Sequence, residues 1–179
     1  GLADEKVRWK ENITTMKAQT VKFIGDCLVG AAFVSYIGCF NKRFRQTLMQ
    51  STFLPYLKGE KTKVPMSDST DPLKVLTTDA QIAGWNTELL PADRVSTENG
   101  CIVNSCARWP LMIDPQLQGI TWIRQRETPN GLLSCQQSFG GYLELLTRAM
   151  EEGLPMLLEK VGESFDAVLD PVLSRATIS

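Results

Sequence analysis

Apolar residues recur every seven positions along the first part of the chain. Leu2, Trp9, Met16 and Phe23 form one series, and Lys6, Ile13, Thr20 and Cys27 occupy the complementary positions between them. This spacing is typical of a short two-stranded coiled coil with polar breaks, although packing of one amphipathic helix on a core would explain it equally well. The pattern predicts one nearly continuous helix over residues 2–36, with Trp9 and Met16 on the face that needs a partner.

Further helices follow in the middle of the chain. They are predicted over residues 41–57, 72–77, 79–87 and 96–106, with an exposed polar loop at 58–71. Gly38 is expected to end the first helix with a left-handed cap, because glycine adopts positive φ without steric cost. Asn41 and Ser96 are expected to be N-caps, since their side chains can accept a hydrogen bond from the first helical turn.

The second half of the chain alternates short apolar runs with amphipathic segments. Strands are predicted at Leu111–Ile113, Leu132–Cys135 and 155–159, and helices at 118–127, 140–152 and 165–174. Alternating strands and helices indicate a parallel sheet. The runs Leu111–Ile113 and Met156–Leu158 are apolar on both faces, which predicts that both strands are buried.

The first of these strands leads into a degenerate phosphate-binding loop. An intact P-loop reads G-x-x-x-x-G-K-[ST] between a buried strand and a helix. On that frame Asp114 stands at the first glycine, Gly119 at the second, Ile120 at the lysine and Thr121 at the hydroxyl position. Isoleucine supplies no cation for the terminal phosphates, and a carboxylate at Asp114 would repel phosphate oxygens. The loop is therefore expected to bind neither ATP nor ADP.

A second fragment resembles the Walker B strand of the same class of enzymes. Leu154–Leu158 is an apolar run that ends in Glu159-Lys160, where an intact strand ends in a magnesium-binding aspartate and a catalytic glutamate. Glu159 could still reach a metal, but Lys160 cannot act as a base at neutral pH. No residue of the two fragments is therefore expected to act in catalysis, in cofactor binding or as a metal ligand.

Longer stretches of the sequence resemble one family, the dynein heavy chains. Arg108–Gly119, followed by Trp122-Ile123, is similar to the fifth AAA+ module of these motors, in a form closer to axonemal than to cytoplasmic heavy chains. Further matching blocks follow the family's order along the whole chain: Glu5–Trp9, Gly25–Leu28, Ala31–Gly38, Trp85-Asn86, Leu90–Asp93, Glu98–Gly100 and Asp166–Leu173.

The resemblance implies an α/β fold, the large subdomain of an AAA+ (P-loop NTPase-like) module preceded by a long helix. Residues 1–24 would be the base of the returning helix of the stalk coiled coil, and residues 25–179 the partial large subdomain of the fifth module. The family's sheet has five strands and this sequence supplies three. The parallel sheet is thus expected to be incomplete, and the sequence to be part of a longer polypeptide.

The resemblance also implies a mechanical role within an ATP-driven microtubule motor, in a module that is itself catalytically inactive. The module would connect the stalk to the ring and transmit conformational change driven by ATP and Mg²⁺ in other modules, without a cofactor of its own. Its implied partners are neighbouring AAA+ modules, the outgoing stalk helix, other dynein subunits and, indirectly, the microtubule. The implied location is the cytoplasmic cytoskeleton, in the axoneme of a cilium or flagellum.

Two alternatives from other functional classes stay open at this point. One is an active P-loop NTPase, in which Thr121 and Glu159 are the residues that could serve magnesium. The other is a helical protein-interaction domain whose likeness to a P-loop is accidental. A nucleotide titration would separate the first alternative from a mechanical module. The second predicts no strand at Leu111–Ile113, so a structure decides it.

The composition of the chain argues against several other classes of function. The 179 residues carry 19 basic and 20 acidic side chains, so the net charge of −1 offers no field for nucleic acid or an anionic membrane. The absence of histidine excludes a Ser-His-Asp or Cys-His site within the chain. Five cysteines without C-x-x-C spacing predict reduced thiols rather than a disulfide framework or a zinc site. The apolar stretch 21–40 contains Lys22 and Asp26, which predicts a core helix rather than a membrane span.

Overall fold

The computed structural model describes residues 2–68 and 71–176, in which the chain divides into two compact units. The first unit comprises the residues up to Gln81 together with Thr97–Cys106. The second comprises Ile82–Ser96 and the residues from Ala107 onward. Among the described residues, no helix combines the length and the apolar content needed to cross a bilayer.

The elements follow the order that the hydrophobic pattern predicted for the helices. They are α1 Leu2–Tyr36, α2 Lys42–Thr47, α3 Leu54–Lys58, α4 Pro72–Leu76, α5 Asp79–Thr87, α6 Arg94–Ser105, α7 Gln118–Glu127, β1 Leu133–Gln136, α8 Tyr142–Glu152, β2 Met156–Glu159 and α9 Asp170–Leu173. A π-helical turn, Leu48–Phe53, joins α2 to α3, so the helix predicted over 41–57 is continuous but locally unwound. The helix predicted over 165–174 is shorter, because a 3-10 turn at Ala167–Leu169 forms its first part.

The long helix α1 is confirmed over its whole predicted length. Its residues 5–24 are exposed to solvent throughout, including Trp9 at 66% and Met16 at 65% exposure. Burial begins at Gly25 and recurs at Val29, Phe33 and Ile37, which is the three-to-four-residue spacing of one helix face. The helix therefore has an anchored half and a half whose apolar stripe faces solvent.

Small residues let other segments approach the anchored half of α1 closely. A methyl group added at Gly25 would lie 2.2 Å from the carbonyl oxygen of Pro65, and one added at Gly30 would lie 3.3 Å from the side chain of Leu76. Beside Gly25, the Asp26 carboxylate accepts hydrogen bonds from the backbone N–H of Ser67 at 2.9 Å and from its hydroxyl at 2.6 Å. The loop after α3 and the helix α4 are thereby held against α1.

The predicted helix caps are right at one position and wrong at two. Asn41 caps α2, since its side chain accepts a hydrogen bond from the backbone N–H of Phe44 at 3.2 Å. Gly38 does not adopt a left-handed conformation, and α1 ends at Tyr36 in a turn closed by a bond from Phe40 N–H to the Ile37 carbonyl. The first turn of α6 is capped by Asp93 instead of Ser96, because the aspartate reaches the backbone N–H groups of both Val95 and Ser96.

The second unit contains a parallel pair of strands, as predicted. Leu133 pairs with Met156 and Gln136 with Glu159, so β1 and β2 run in the same direction with α8 between them in sequence. Gly153 ends α8 with φ of 67°, in the left-handed conformation that glycine adopts most easily. The residues of β2 are only half-buried, because the sheet described here has two strands.

The strand predicted at Leu111–Ile113 is wrong. These residues form no regular secondary structure and belong to no sheet in the described part of the chain, and Leu111 and Ile113 are 69% and 91% exposed. The run is held at its start by Trp109, whose indole N–H donates to the Val172 carbonyl at 2.8 Å and whose ring lies 4.1 Å from the Arg175 guanidinium. A strand needs a neighbour to accept its backbone hydrogen bonds, and the described residues place none beside this run.

Candidate functional site

The degenerate P-loop forms a tight turn that leads directly into α7. The Leu117 N–H donates to the Asp114 carbonyl at 3.2 Å, and Leu117 adopts a left-handed conformation with φ of 59°. Helix α7 begins at the next residue, Gln118, as the sequence predicted. The backbone N–H groups of its first turn have no partner within the helix, which makes such a terminus attractive to an anion.

The carboxylate of Asp114 accepts hydrogen bonds from this helix terminus. One carboxylate oxygen accepts from the Gln118 N–H at 3.1 Å, and the other accepts from the Ile120 N–H at 2.9 Å. These are the kinds of donors that a P-loop offers to phosphate oxygens. The negative charge at the start of α7 is therefore supplied by the chain itself.

The other residues of the loop fit this arrangement. A methyl group at Gly119 would lie 3.3 Å from the Asp114 carboxylate, so glycine leaves room for that side chain to reach the helix. Ile120 is half-buried and carries no charge. The hydroxyl of Thr121 donates to the Leu117 carbonyl at 2.6 Å, so this donor is already used in a bond at the start of its own helix.

The degenerate Walker B strand places Glu159 among donors of its own unit. Glu159 ends β2 and accepts hydrogen bonds from the Ser134 hydroxyl on β1 and from the Arg124 guanidinium on α7. The Ser134 hydrogen bond, followed by that of Arg124, holds the pKa of Glu159 below its usual range. Lys160 is exposed and adopts a left-handed conformation with φ of 50°.

Arg124 is a residue of the site that sequence reasoning missed. It lies on the helix that starts in the P-loop and forms an ion pair with the last residue of the Walker B strand, so it connects the two fragments. No motif marks it, because an arginine on a helix is usually a solvated side chain. Knowledge of the strand register would have been needed to place its partner.

A tryptophan pair supports α7 from another side. Trp122 is only 1% exposed, and its ring meets the ring of Trp85 edge to face with centroids 6.2 Å apart. The Trp122 indole N–H donates to the Glu88 carboxylate at 3.0 Å. Buried indoles that are hydrogen-bonded fix a helix in position, so the loop at the start of α7 stands on a rigid support.

An open depression beside the strands is lined mainly by small polar and apolar side chains. It has a volume of about 500 Å³ and is lined by Ser134, Cys135, Gln136, Ser138, Phe139 and Leu145. Burial, followed by the charge of Glu159, raises the pKa of the Cys135 thiol, which keeps it protonated and unreactive. The five cysteines form no disulfide with one another, and no cluster of metal-ligating side chains occurs among the described residues.

Comparison with known proteins identifies the family to which these fragments belong. Residues 83–179 match the family model described as the ATP-binding dynein motor region, which is more than half of the chain. The chain belongs to the dynein motor family. Residues 1–57 match the model for the microtubule-binding stalk of the dynein motor. The likeness of the sequence to dynein heavy chains is thereby confirmed, whereas the division into residues 1–24 and 25–179 stays a prediction.

Individual dynein heavy chains are similar over nearly the whole sequence. The ciliary dynein beta chain of Tripneustes gratilla is 49% identical over 178 residues, which is 99% of this chain. Dynein axonemal heavy chain 9 of Homo sapiens is 46% identical over the same length, and the flagellar outer-arm dynein beta chain of Chlamydomonas reinhardtii is 44% identical. The chain spans 4% of the length of each of these relatives. Their names agree with the axonemal character that the sequence predicted.

Proposed function

We propose that this chain is a non-hydrolysing structural module of an axonemal dynein motor ring, the fifth AAA+ module with the stalk-base helix before it. The observation that carries the proposal is the Asp114 carboxylate on the N–H groups of Gln118 and Ile120. An incoming phosphate would have to displace this carboxylate from the helix terminus, and Ile120 offers no cation in exchange. Unit charges of like sign near 4 Å repel by about 4 kcal/mol at an effective dielectric of 20.

The Walker B fragment supports the same proposal from the side of the metal. Glu159 already faces a cation, the guanidinium of Arg124, where an active module would place its carboxylate toward Mg²⁺. A divalent ion would have to replace both this ion pair and the hydrogen bond from Ser134. In the two degenerate motifs, groups of the chain itself thus occupy the places of both ligands. The Asp114 carboxylate takes the place of the phosphate, and the Arg124 guanidinium takes the place of the metal.

The mechanical part of the proposal rests on α1. The stalk model matches residues 1–57, and the exposed stripe with Trp9 and Met16 has the spacing of a coiled-coil seam. The outgoing stalk helix is the partner that would cover it. ATP and Mg²⁺ bound in other modules would supply the energy, and the anchored half of α1 would carry the resulting movement toward a microtubule in the axoneme of a cilium or flagellum.

The competing functions have less support. An active NTPase would need Thr121 and Glu159 to turn to magnesium, and both side chains are bonded to other partners. A helical interaction domain with an accidental likeness to a P-loop agrees with the absence of a strand at Leu111–Ile113, but it would leave the family match over residues 83–179 unexplained.

The test is nucleotide binding in the whole motor. Calorimetry should give the unmodified motor no nucleotide site at this module, and Asp114→Gly combined with Ile120→Lys should add one. Asp166→Gly is the matched control, because Asp166 also caps a turn, at the Val168 N–H, but lies outside the loop. Nucleotide density against Gly119 and Thr121 in the unmodified motor would overturn the proposal and favour the active NTPase.

A further inference from the structure

A buried arginine lies where the long helix ends. The side chain of Arg45, in the last turn of α2, is 6% exposed. Its Nε donates to the Phe40 carbonyl at 2.7 Å, and one terminal nitrogen donates to the Gly38 carbonyl at 3.0 Å. Both carbonyls belong to the five residues, 37–41, that connect α1 to α2.

The same guanidinium also holds helix α6. Its other terminal nitrogen donates to the Glu98 carboxylate at 3.2 Å, and the Asn99 side-chain oxygen accepts a further bond at 2.7 Å. Glu98 is itself only 12% exposed, so the two charges neutralise each other largely out of water. One side chain therefore ties the connection after α1 to a helix more than fifty residues further along the chain.

Arginine is the residue type that this arrangement requires. Four hydrogen bonds leave three nitrogens of one planar group, toward two backbone carbonyls and two side chains. The guanidinium offers five N–H donors in a fixed fork, whereas lysine offers three on a single atom. A lysine at this position would keep the positive charge but could not donate hydrogen bonds to all four acceptors.

Apolar contacts also hold the end of α1. The ring of Tyr36, the last residue of α1, meets Phe53 of the π-helical turn edge to face with centroids 6.5 Å apart. Ile37, the next residue, is fully buried. Beyond the anchored half, residues 2–24 of α1 extend for about 35 Å at 1.5 Å per residue, so a small change of angle at the anchored end becomes a displacement of several ångströms at the far end.

We propose that Arg45 is a positioning residue that fixes the direction of the stalk-base helix relative to α6, and so couples nucleotide state in the motor to microtubule affinity. This rests on the proposed mechanical function of the module. Two of the four bonds hold the connection after α1 and two hold α6, so the pair can transmit a rotation, whereas a loosened connection would absorb it. Arg45 touches neither nucleotide nor microtubule in this scheme and acts through α1.

The test compares Arg45→Lys and Arg45→Gln in the whole dynein motor with the matched control Arg43→Gln, an exposed arginine of the same helix. The readout is the ratio of microtubule affinities measured with ATP and without nucleotide, together with basal ATPase activity. Both Arg45 variants should reduce the ratio about tenfold while basal ATPase activity and the Arg43→Gln motor stay unchanged. A purely structural role would lower the melting temperature without changing this ratio.

Milder variants keep the test decisive if the Arg45 motors fail to fold. Asn99→Ala removes one bond at an exposed residue, and Glu98→Gln removes the charge but keeps the shape. Each should lower the affinity ratio by a smaller factor. An unchanged ratio in the folded Arg45 variants, or in both milder ones, would overturn the proposal. Nucleotide density at Gly119 would instead refute the proposed function of the module. The affinity ratio of the Arg45 variants would then still test the positioning role of Arg45 separately.

Discussion

At the scale of single residues, the two carboxylates of the site are bonded to groups of the chain itself. Asp114 would repel phosphate, yet it caps α7 through two backbone N–H groups. In an active module the carboxylate at the position of Glu159 would bind a metal, whereas here it forms an ion pair with Arg124. Changes to such residues should therefore reveal local loss of stability rather than loss of catalysis.

Replacing the Asp114 side chain should loosen the start of α7. Asp114→Ala removes the acceptor of two N–H groups, and losing such a cap costs about 1 kcal/mol. Hydrogen–deuterium exchange in the peptide that spans residues 115–123 of the whole motor should then be about fivefold faster. Asp166→Ala should accelerate exchange near Val168 only. Equal exchange at α7 with and without the carboxylate would show that Asp114 is not its cap.

The Glu159 ion pair should weaken in acid. Because the folded pKa of Glu159 is lowered, its stabilising contribution is complete above the pKa of the unfolded chain, about 4.3, and is lost as pH falls through the lower folded pKa. Arg124 is about half exposed, so the contribution is small, on the order of 1 kcal/mol or less.

Glu159→Gln tests this directly. The unmodified protein should lose more thermal stability than the variant when the pH is lowered from 5 to 3, and the two should differ by a constant amount above pH 5. Parallel curves over the whole range would contradict the assigned role. Arg148→Gln, which breaks an exposed pair with Glu152, is the control for a surface ion pair.

At the scale of elements, the sequence predicts those features that depend on local spacing. The length of α1, the cap at Asn41 and the helix after the P-loop all follow from residues near one another in the chain. The run Leu111–Ile113 was mispredicted because an apolar triplet becomes a strand only beside another strand. Arg124 and Arg45 were missed for a related reason, since their acidic partners lie 35 and 53 residues away.

The close approach of α1 to the loop after α3 gives a test at this scale. Gly25→Ala would place a methyl group 2.2 Å from the Pro65 carbonyl, so the loop must move away, at a cost of about 1–3 kcal/mol. Trypsin should then cleave after Lys61 and Lys63 about tenfold faster. Gly84→Ala is the matched control, because that helical glycine has nothing within 4 Å of an added methyl group. Unchanged cleavage in the Gly25 variant would show that the loop is not held there.

At the scale of the whole molecule, each unit leaves apolar surface open to solvent. In the first unit this is the stripe of α1 with Trp9, Met16 and Phe23, and in the second it includes Leu111 and Ile113. Exposed apolar side chains of this size favour an interaction site. The chain spans 4% of the length of the ciliary dynein beta chain of Tripneustes gratilla, and in the motor ring that we propose the neighbouring modules would cover this surface.

The isolated 179 residues should accordingly be marginally stable and prone to associate. The described sheet has only two strands with open edges, and the exposed run at Leu111–Ile113 has no strand beside it in the described part of the chain. Calorimetry should give a broad, low-temperature transition, and sedimentation should give a mass that rises with concentration. Trp9→Lys with Met16→Lys should reduce association through α1 but leave the weak transition unchanged, because those side chains stabilise nothing within the unit. A sharp, high-temperature melt of a monomer would contradict the expectation, since it would require a core that these exposed runs do not supply.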